Sequence, residues 1–150
     1  MNNELKKKTK KEMTNYEMLQ IISEAKSLEQ KRLPQRLAYV IMRNLRTLRE
    51  EVVFYEQELE KLNQSYDKEE KLEKDASGHI CREANGLPKV KEQYAGEYEQ
   101  ELVELLGFTV EVDLFCLPEE TLDYEDAKYD PLSLSQMRCV AALCMKRYSR

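Results

Sequence analysis

Apolar residues recur at helical spacing along most of this chain, and the longest such run governs the reading. Leu37, Ile41, Leu45, Leu48, Val52, Tyr55, Leu59, Leu62 and Tyr66 are spaced 4, 4, 3, 4, 3, 4, 3, 4. From Leu45 onward this alternation averages about 3.5 residues, the signature of a helix that packs lengthwise on a partner. No Gly or Pro interrupts residues 35–77. A helix of about 40 residues would run about 60 Å at about 1.5 Å per residue. That exceeds a small domain, so the seam requires a companion helix.

The companion fits residues 89–106, where Val90, Tyr94, Tyr98, Leu102 and Leu105 form one stripe and Gly107 follows as a C-terminal cap. Tyr94 and Tyr98 read as packing residues, with rings buried and hydroxyls reaching water. Between the two helices, Asp67 to Asp75 reads as solvated charge. Ser77, Gly78 and His79, then Asn85, Gly86, Leu87 and Pro88, carry turn chemistry. Ile80 and Cys81 between them fit a short β-hairpin arm.

Upstream, Thr14 and Glu17 have the spacing of a capping box, and they open a first helix from Asn15 to Arg32 with Met18, Ile21, Ile22, Ala25 and Leu28 on one face. Pro34 stops that helix and suits the first turn of the next. Residues 1–13, with five Lys and two Glu, read as a basic, disordered lead-in. Downstream, Thr109–Phe115 alternates with period two and is β-branched, so it predicts a strand. Its pairing partner would be the region around residue 80 or a strand from another protein. Residues 118–131 read as an acidic loop. Ser133 and Gln136 then cap a last helix to about Lys146, whose face of Leu134, Met137, Cys139, Val140, Leu143 and Cys144 would dock on the hairpin. The predicted fold is mainly α: a long antiparallel helical hairpin (34–75 and 89–106) buttressed by N- and C-terminal helices, with one small β element. Residues 14–150 would form a single helical domain.

Composition narrows the class. Hydrophobic residues make up 41% of the chain, enough for a core, and charged residues 35%, against about 25% in typical globular domains. The first residues carry no apolar stretch of signal-peptide length, and no 18 apolar residues run together, so no membrane segment is expected. Cys81, Cys116, Cys139 and Cys144 show no paired spacing. Reduced thiols and a cytoplasmic location follow.

Candidate chemistry is sparse. A Ser-His-Asp or Cys-His arrangement would have to use His79, the one histidine, which sits in a glycine-flanked turn. There is no glycine-rich phosphate loop, His-Glu-x-x-His pair or nucleotide fingerprint. A metal would need His79 and Cys81 joined by Cys116 or Cys139, without the close ligand pairs of structural zinc sites. No catalytic residue, metal or cofactor is expected, and the chain reads as a non-enzyme.

Charge is distributed unevenly. Lys31, Arg32, Arg36, Arg43, Arg46 and Arg49 lie in a stretch without any acid. Arg32, Arg36, Arg43 and Arg46 share an arc of about 80° opposite the apolar seam. Tyr39 and Phe54 project beside this stripe, with Met42 and Val53 at its flank. A solvated face would explain the charges but not the apolar residues, which imply a second packed surface. Between Glu97 and Asp130 there are twelve acids and one base, Lys128. Such a surface keeps a protein soluble, engages a basic protein, or mimics a phosphate backbone. Direct nucleic-acid binding is disfavoured by the net charge of −5 and pI near 5.2. The candidate partner-binding residues are Arg36, Tyr39, Arg43, Arg46 and Phe54 on the basic side, and Glu119, Glu120, Asp123, Glu125 and Asp126 on the acidic side.

The charged helical hairpin, the segment Glu97–Leu106, the strand Thr109–Phe115 and the short helix opening at Leu132–Ser135 together resemble small uncharacterised phage and prophage proteins of Gram-positive bacteria. The resemblance covers residues 15–145 and carries over no functional residue. It implies a phage accessory protein, with inhibition of a host protein such as a defence nuclease as one style of job, working in the host cytoplasm. The expected function is therefore non-enzymatic binding of a host protein. The alternatives are a structural homo-oligomer, as a virion or assembly component, and, behind it, a nucleic-acid binder.

Overall fold

A computed structural model of the chain describes residues 8–146. It is mainly helical, with four α-helices and one two-stranded antiparallel sheet among the described residues. These residues form two compact units. One comprises the chain up to Val52 and from Thr109 onward, the other Val53–Phe108.

In the first unit, β1 (Lys8–Thr14) pairs with β2 (Thr109–Phe115) in the register Lys8↔Phe115 to Thr14↔Thr109. This corrects two expectations. Residues 8–13 of the lysine-rich lead-in are strand, while residues 1–7 lie outside the described residues. The partner of β2 is β1, neither the region around residue 80 nor another protein's strand. The period-two pattern of β1 is masked by its composition. Lys8, Lys10 and Glu12 are exposed, whereas Lys11 and Met13 are buried. Lys11 tolerates burial because its ammonium donates to the carbonyls of Ala142 (3.0 Å) and Met145. These lie at the C-terminal end of α4, where the helix dipole favours a cation.

α1 (Asn15–Ala25) begins at the predicted capping box: the Glu17 amide donates to Thr14 Oγ1 at 3.0 Å, and the Thr14 amide to Glu17 Oε1 at 3.3 Å. It buries Met18, Ile21 and Ala25, then tightens into a 3-10 turn at Lys26–Leu28. The helix stops short of Arg32 because Arg32 is committed elsewhere. Its amide donates to Asp130 Oδ2 and its carbonyl accepts from the Asp130 amide, both at 2.7 Å.

α2 (Gln35–Lys68) gives Leu37, Val40, Ile41, Leu45, Leu48 and Val52 to the core of the first unit. α4 (Leu134–Cys144) starts at the predicted Ser133/Gln136 box and adds Cys139, Val140, Leu143 and Cys144. Each such side chain, when fully buried, stabilises by about 1.5–3 kcal/mol. α4 packs on α1 and β2, with Cys139 Sγ donating to the Ile21 carbonyl at 3.7 Å. Leu134 and Met137, expected on its docking face, are instead exposed.

The second unit holds the rest of α2, an irregular arm, and α3 (Glu92–Gly107). α2 ends at Lys68 rather than 75. Glu70 turns left-handed (φ 59°), and the Lys71 amide donates to the Tyr66 carbonyl at 2.9 Å, the 6→1 bond of a Schellman-type end. The arm repeats one turn at an eight-residue interval. The amides of Asp75 and Gly78 donate to the carbonyls of His79 and Asp75, and those of Glu83 and Gly86 to the carbonyls of Leu87 and Glu83. Gly78 and Gly86, at φ +84° and +88°, supply the left-handed position in each. Isolated bridges join Leu72 to Val90, Lys74 to Ile80 and Arg82 to Pro88, so Val90 belongs to the arm rather than to α3. Tyr66, Leu72 and Tyr98 form this unit's core. The Tyr66 and Tyr98 rings meet edge-on at 5.1 Å, and their hydroxyls donate to Glu101 (2.9 Å) and Asn63 (2.6 Å). Gly107 is the last residue of α3, with extended Phe108 as its cap.

Candidate functional site

The basic stripe begins on the exposed side of α2. Leu37, Val40, Ile41 and Asn44 turn inward, so helical spacing leaves Arg36, Tyr39, Arg43 and Arg46 facing solvent. Their settings differ. Arg43 Nη1 donates to the Tyr39 hydroxyl at 3.0 Å, and the guanidinium lies 5.7 Å from the Tyr39 ring centroid. Arg46 is paired with Glu50 at 3.2 Å in a solvated i,i+4 contact. Phe54 is 64% exposed but belongs to the other unit.

Two further residues join Arg43 that sequence reasoning did not single out. The guanidinium is also 5.7 Å from the ring centroid of Phe115, and the Lys8 ammonium is 5.0 Å from the same ring. Lys8 lies opposite Phe115 across the β1–β2 ladder. The Phe115 backbone beneath the ring is held in place: its amide donates to Asn44 Oδ1, and its carbonyl accepts from Asn44 Nδ2, both at 2.9 Å. Asn44 Nδ2 also donates to the Leu143 carbonyl at 3.0 Å. Asn44 thus ties α2 to β2 and α4 beneath the surface that carries Arg43. A ring face carries negative quadrupole charge, so two cations at one ring are each stabilised by it. No signal in the lead-in marked Lys8; the alternation that places it was hidden by lysines.

The acidic residues Glu119, Glu120, Asp123, Glu125 and Asp126 are all exposed. Asp126 is matched by Lys128 at 3.8 Å. The segment is anchored at its far end, where the Tyr124 hydroxyl donates to the Asp130 carbonyl and Asp130 binds Arg32. Burial raises the Tyr124 pKa, and Asp130 adds to it. Glu119 and Asp123, with Glu17, Leu122, Met137 and Arg138, line an open groove of about 1040 Å³.

His79 is exposed at the first turn of the arm, its Nδ1 3.8 Å from Asp75. Among the described residues, no three His, Cys, Asp or Glu side chains converge on a possible metal position. Burial pushes the thiols of Cys139 and Cys144 up to about 11 and about 12, so both stay protonated, the poor nucleophilic form. No helix of the described residues is long and apolar enough to cross a membrane. No protein-family model, curated protein or solved structure matches this chain.

Proposed function

We propose that this protein acts by binding another protein rather than by catalysis, and that the α2 surface around Arg43 makes the contact. The observation that carries the reading is Arg43 itself, poised between the rings of Tyr39 and Phe115. Arg and aromatic side chains held in place by their neighbours are the usual energetic anchors of protein interfaces. The resemblance to phage and prophage proteins supplies the context: an accessory protein or inhibitor that docks on a host protein, such as a defence nuclease, in the host cytoplasm. On this reading α2 and α3 form the arms of a helical hairpin, buttressed by the N- and C-terminal helices. The acidic segment 119–126 offers a second surface, suited to a basic partner.

The test is expression of the tagged protein in a bacterial host, with identification of what co-purifies at moderate salt. One stoichiometric protein, lost with Arg43→Glu/Arg46→Glu while helical content is unchanged, supports the reading. Equal capture by that variant removes the stripe from the interface.

A structural homo-oligomer is the second reading. Val53, Phe54, Val103 and Phe108 of the second unit are exposed, as is Met42 of the first. Apolar side chains left in water in such numbers favour burial against a partner. Sedimentation as a strict monomer at tens of micromolar would remove it.

A further inference from the structure

We propose that Lys8, Arg43 and Phe115 form the anchor of a docking surface for an acidic segment of a partner protein. Carboxylates of that segment would pair with the two cations, and its apolar side chains would lie on the Phe115 ring. The inference rests on the protein-binding reading above and names the chemistry of the partner.

The first argument is convergence. A strand residue and a helix residue bring their cations to one ring, at 5.0 and 5.7 Å from its centroid. Neither Lys8 nor Arg43 has a carboxylate partner among the described residues, although the chain is rich in acids. Two neighbouring cations do: Arg46 pairs with Glu50, and Arg49 with Glu29 at 3.7 Å. Lys8 and Arg43 thus bring two unmatched positive charges together at one ring.

The second argument is scale. A nucleic acid is held by many phosphate contacts along an extended basic track, and its affinity grows with their number. Here Arg46 and Arg49 are already paired with carboxylates, and the whole chain carries a net charge of −5. Two open cations and two aromatic rings fit a short acidic peptide better. Arg binds carboxylate in a fork of parallel hydrogen bonds, and the rings give its apolar side chains a surface. The third argument is preorganisation: Phe115 is held through both its backbone groups by Asn44, so little ordering remains to be done on binding.

The experiment measures fluorescence anisotropy of a labelled oligoglutamate peptide with the full chain, against a labelled oligothymidylate. The peptide should bind, and more weakly as salt rises. Lys8→Glu/Arg43→Glu should lower that affinity by about tenfold or more, the loss expected for reversed close charges. Lys61→Glu, at an exposed cation paired with Glu58 in the other unit, should change it by less than about twofold. Circular dichroism of each variant confirms that the fold is kept. Absent peptide binding, equal loss in Lys61→Glu, or tighter binding of oligothymidylate would each overturn the proposal. If the peptide fails while the wild-type chain still captures a partner through Arg43, the acidic chemistry is wrong and the binding reading stands.

Discussion

The Asn44 side chain and the Phe115 backbone bond as one peptide group bonds another across a ladder, each donating to the other at 2.9 Å. Asn44 is nearly inaccessible, and its amide also serves the Leu143 carbonyl. Asn44→Leu removes the bonds and strands three backbone groups. It should destabilise the first unit by about 3 kcal/mol or more, since each of the three unmet groups costs about 1–3. Asn44→Asp keeps the acceptor for the Phe115 amide but turns a second oxygen towards two carbonyls. The carboxyl pKa is then raised in the folded state, so the loss should be small in acid and grow as pH rises past the ordinary carboxylate range. Urea melts from pH 4 upward, read against the wild type, check both, with a linear slope of about 1–3 kcal/mol per molar.

Lys11 is the one strand lysine that the interior holds. Lys11→Met keeps the bulk of the side chain but leaves the Ala142 and Met145 carbonyls without its ammonium. A cost of about 1–3 kcal/mol follows for a charged donor lost at a helix C-terminus. Lys10→Met, at an exposed position of the same strand, should cost less than about 0.5 kcal/mol. Equal midpoints for the two variants in denaturant would remove Lys11 from the core.

The cysteines should separate into two classes. Cys81 and Cys116 are partly accessible, while Cys139 and Cys144 are buried. A thiol reagent at neutral pH should modify the first pair in the native protein and the second pair only on unfolding. Burial raises the folded pKa of Cys139 to about 11 and of Cys144 to about 12, from 9.0. The stability this carries is complete below about pH 9, the unfolded range, and is lost as pH climbs through the folded values. Thermal midpoints should fall from pH 9 upward, less steeply in Cys139→Ala and Cys144→Ala once their own neutral-pH losses are subtracted.

Glu70 occupies a left-handed position that glycine adopts without strain. Glu70→Gly should raise the stability of the second unit by about 0.5–1 kcal/mol. Gly78→Ala and Gly86→Ala, at φ +84° and +88°, should each lower it by about 1 kcal/mol despite open space around them. Site-resolved amide exchange across 53–108 distinguishes the two signs.

Local chemistry made parts of this molecule legible. Thr14 with Glu17 and Ser133 with Gln136 mark helix starts that the structure reproduces, because a capping box lies within four residues. Thr109–Phe115 is strand over its full predicted length. What escaped depended on distant partners. Lys11 reads as solvated until the end of α4 is brought to it. Arg32 reads as helical until Asp130 takes its backbone. The seam from Leu37 to Tyr66 looks continuous, yet its first half is buried among α1, α4 and the sheet, and Tyr66 with Tyr98 and Leu72. Of the candidate site, Arg43 and Tyr39 were visible by helical spacing. Lys8 and Phe115 joined them only through the β1–β2 register.

That register also sets an order of events during synthesis. Lys8 pairs with Phe115, 107 residues later (115 − 8), and the segment 53–108 between them has a core of its own. A ribosome making about 5–20 residues per second therefore exposes β1 and α1 for roughly 5–20 seconds before their partners exist. Through that interval Met13, Met18 and Ile21 have no β2 or α4 to cover them, while the 53–108 unit can already close. The unit that begins first of the two is thus the last to finish, and the nascent chain is most open to misassembly over residues 8–52.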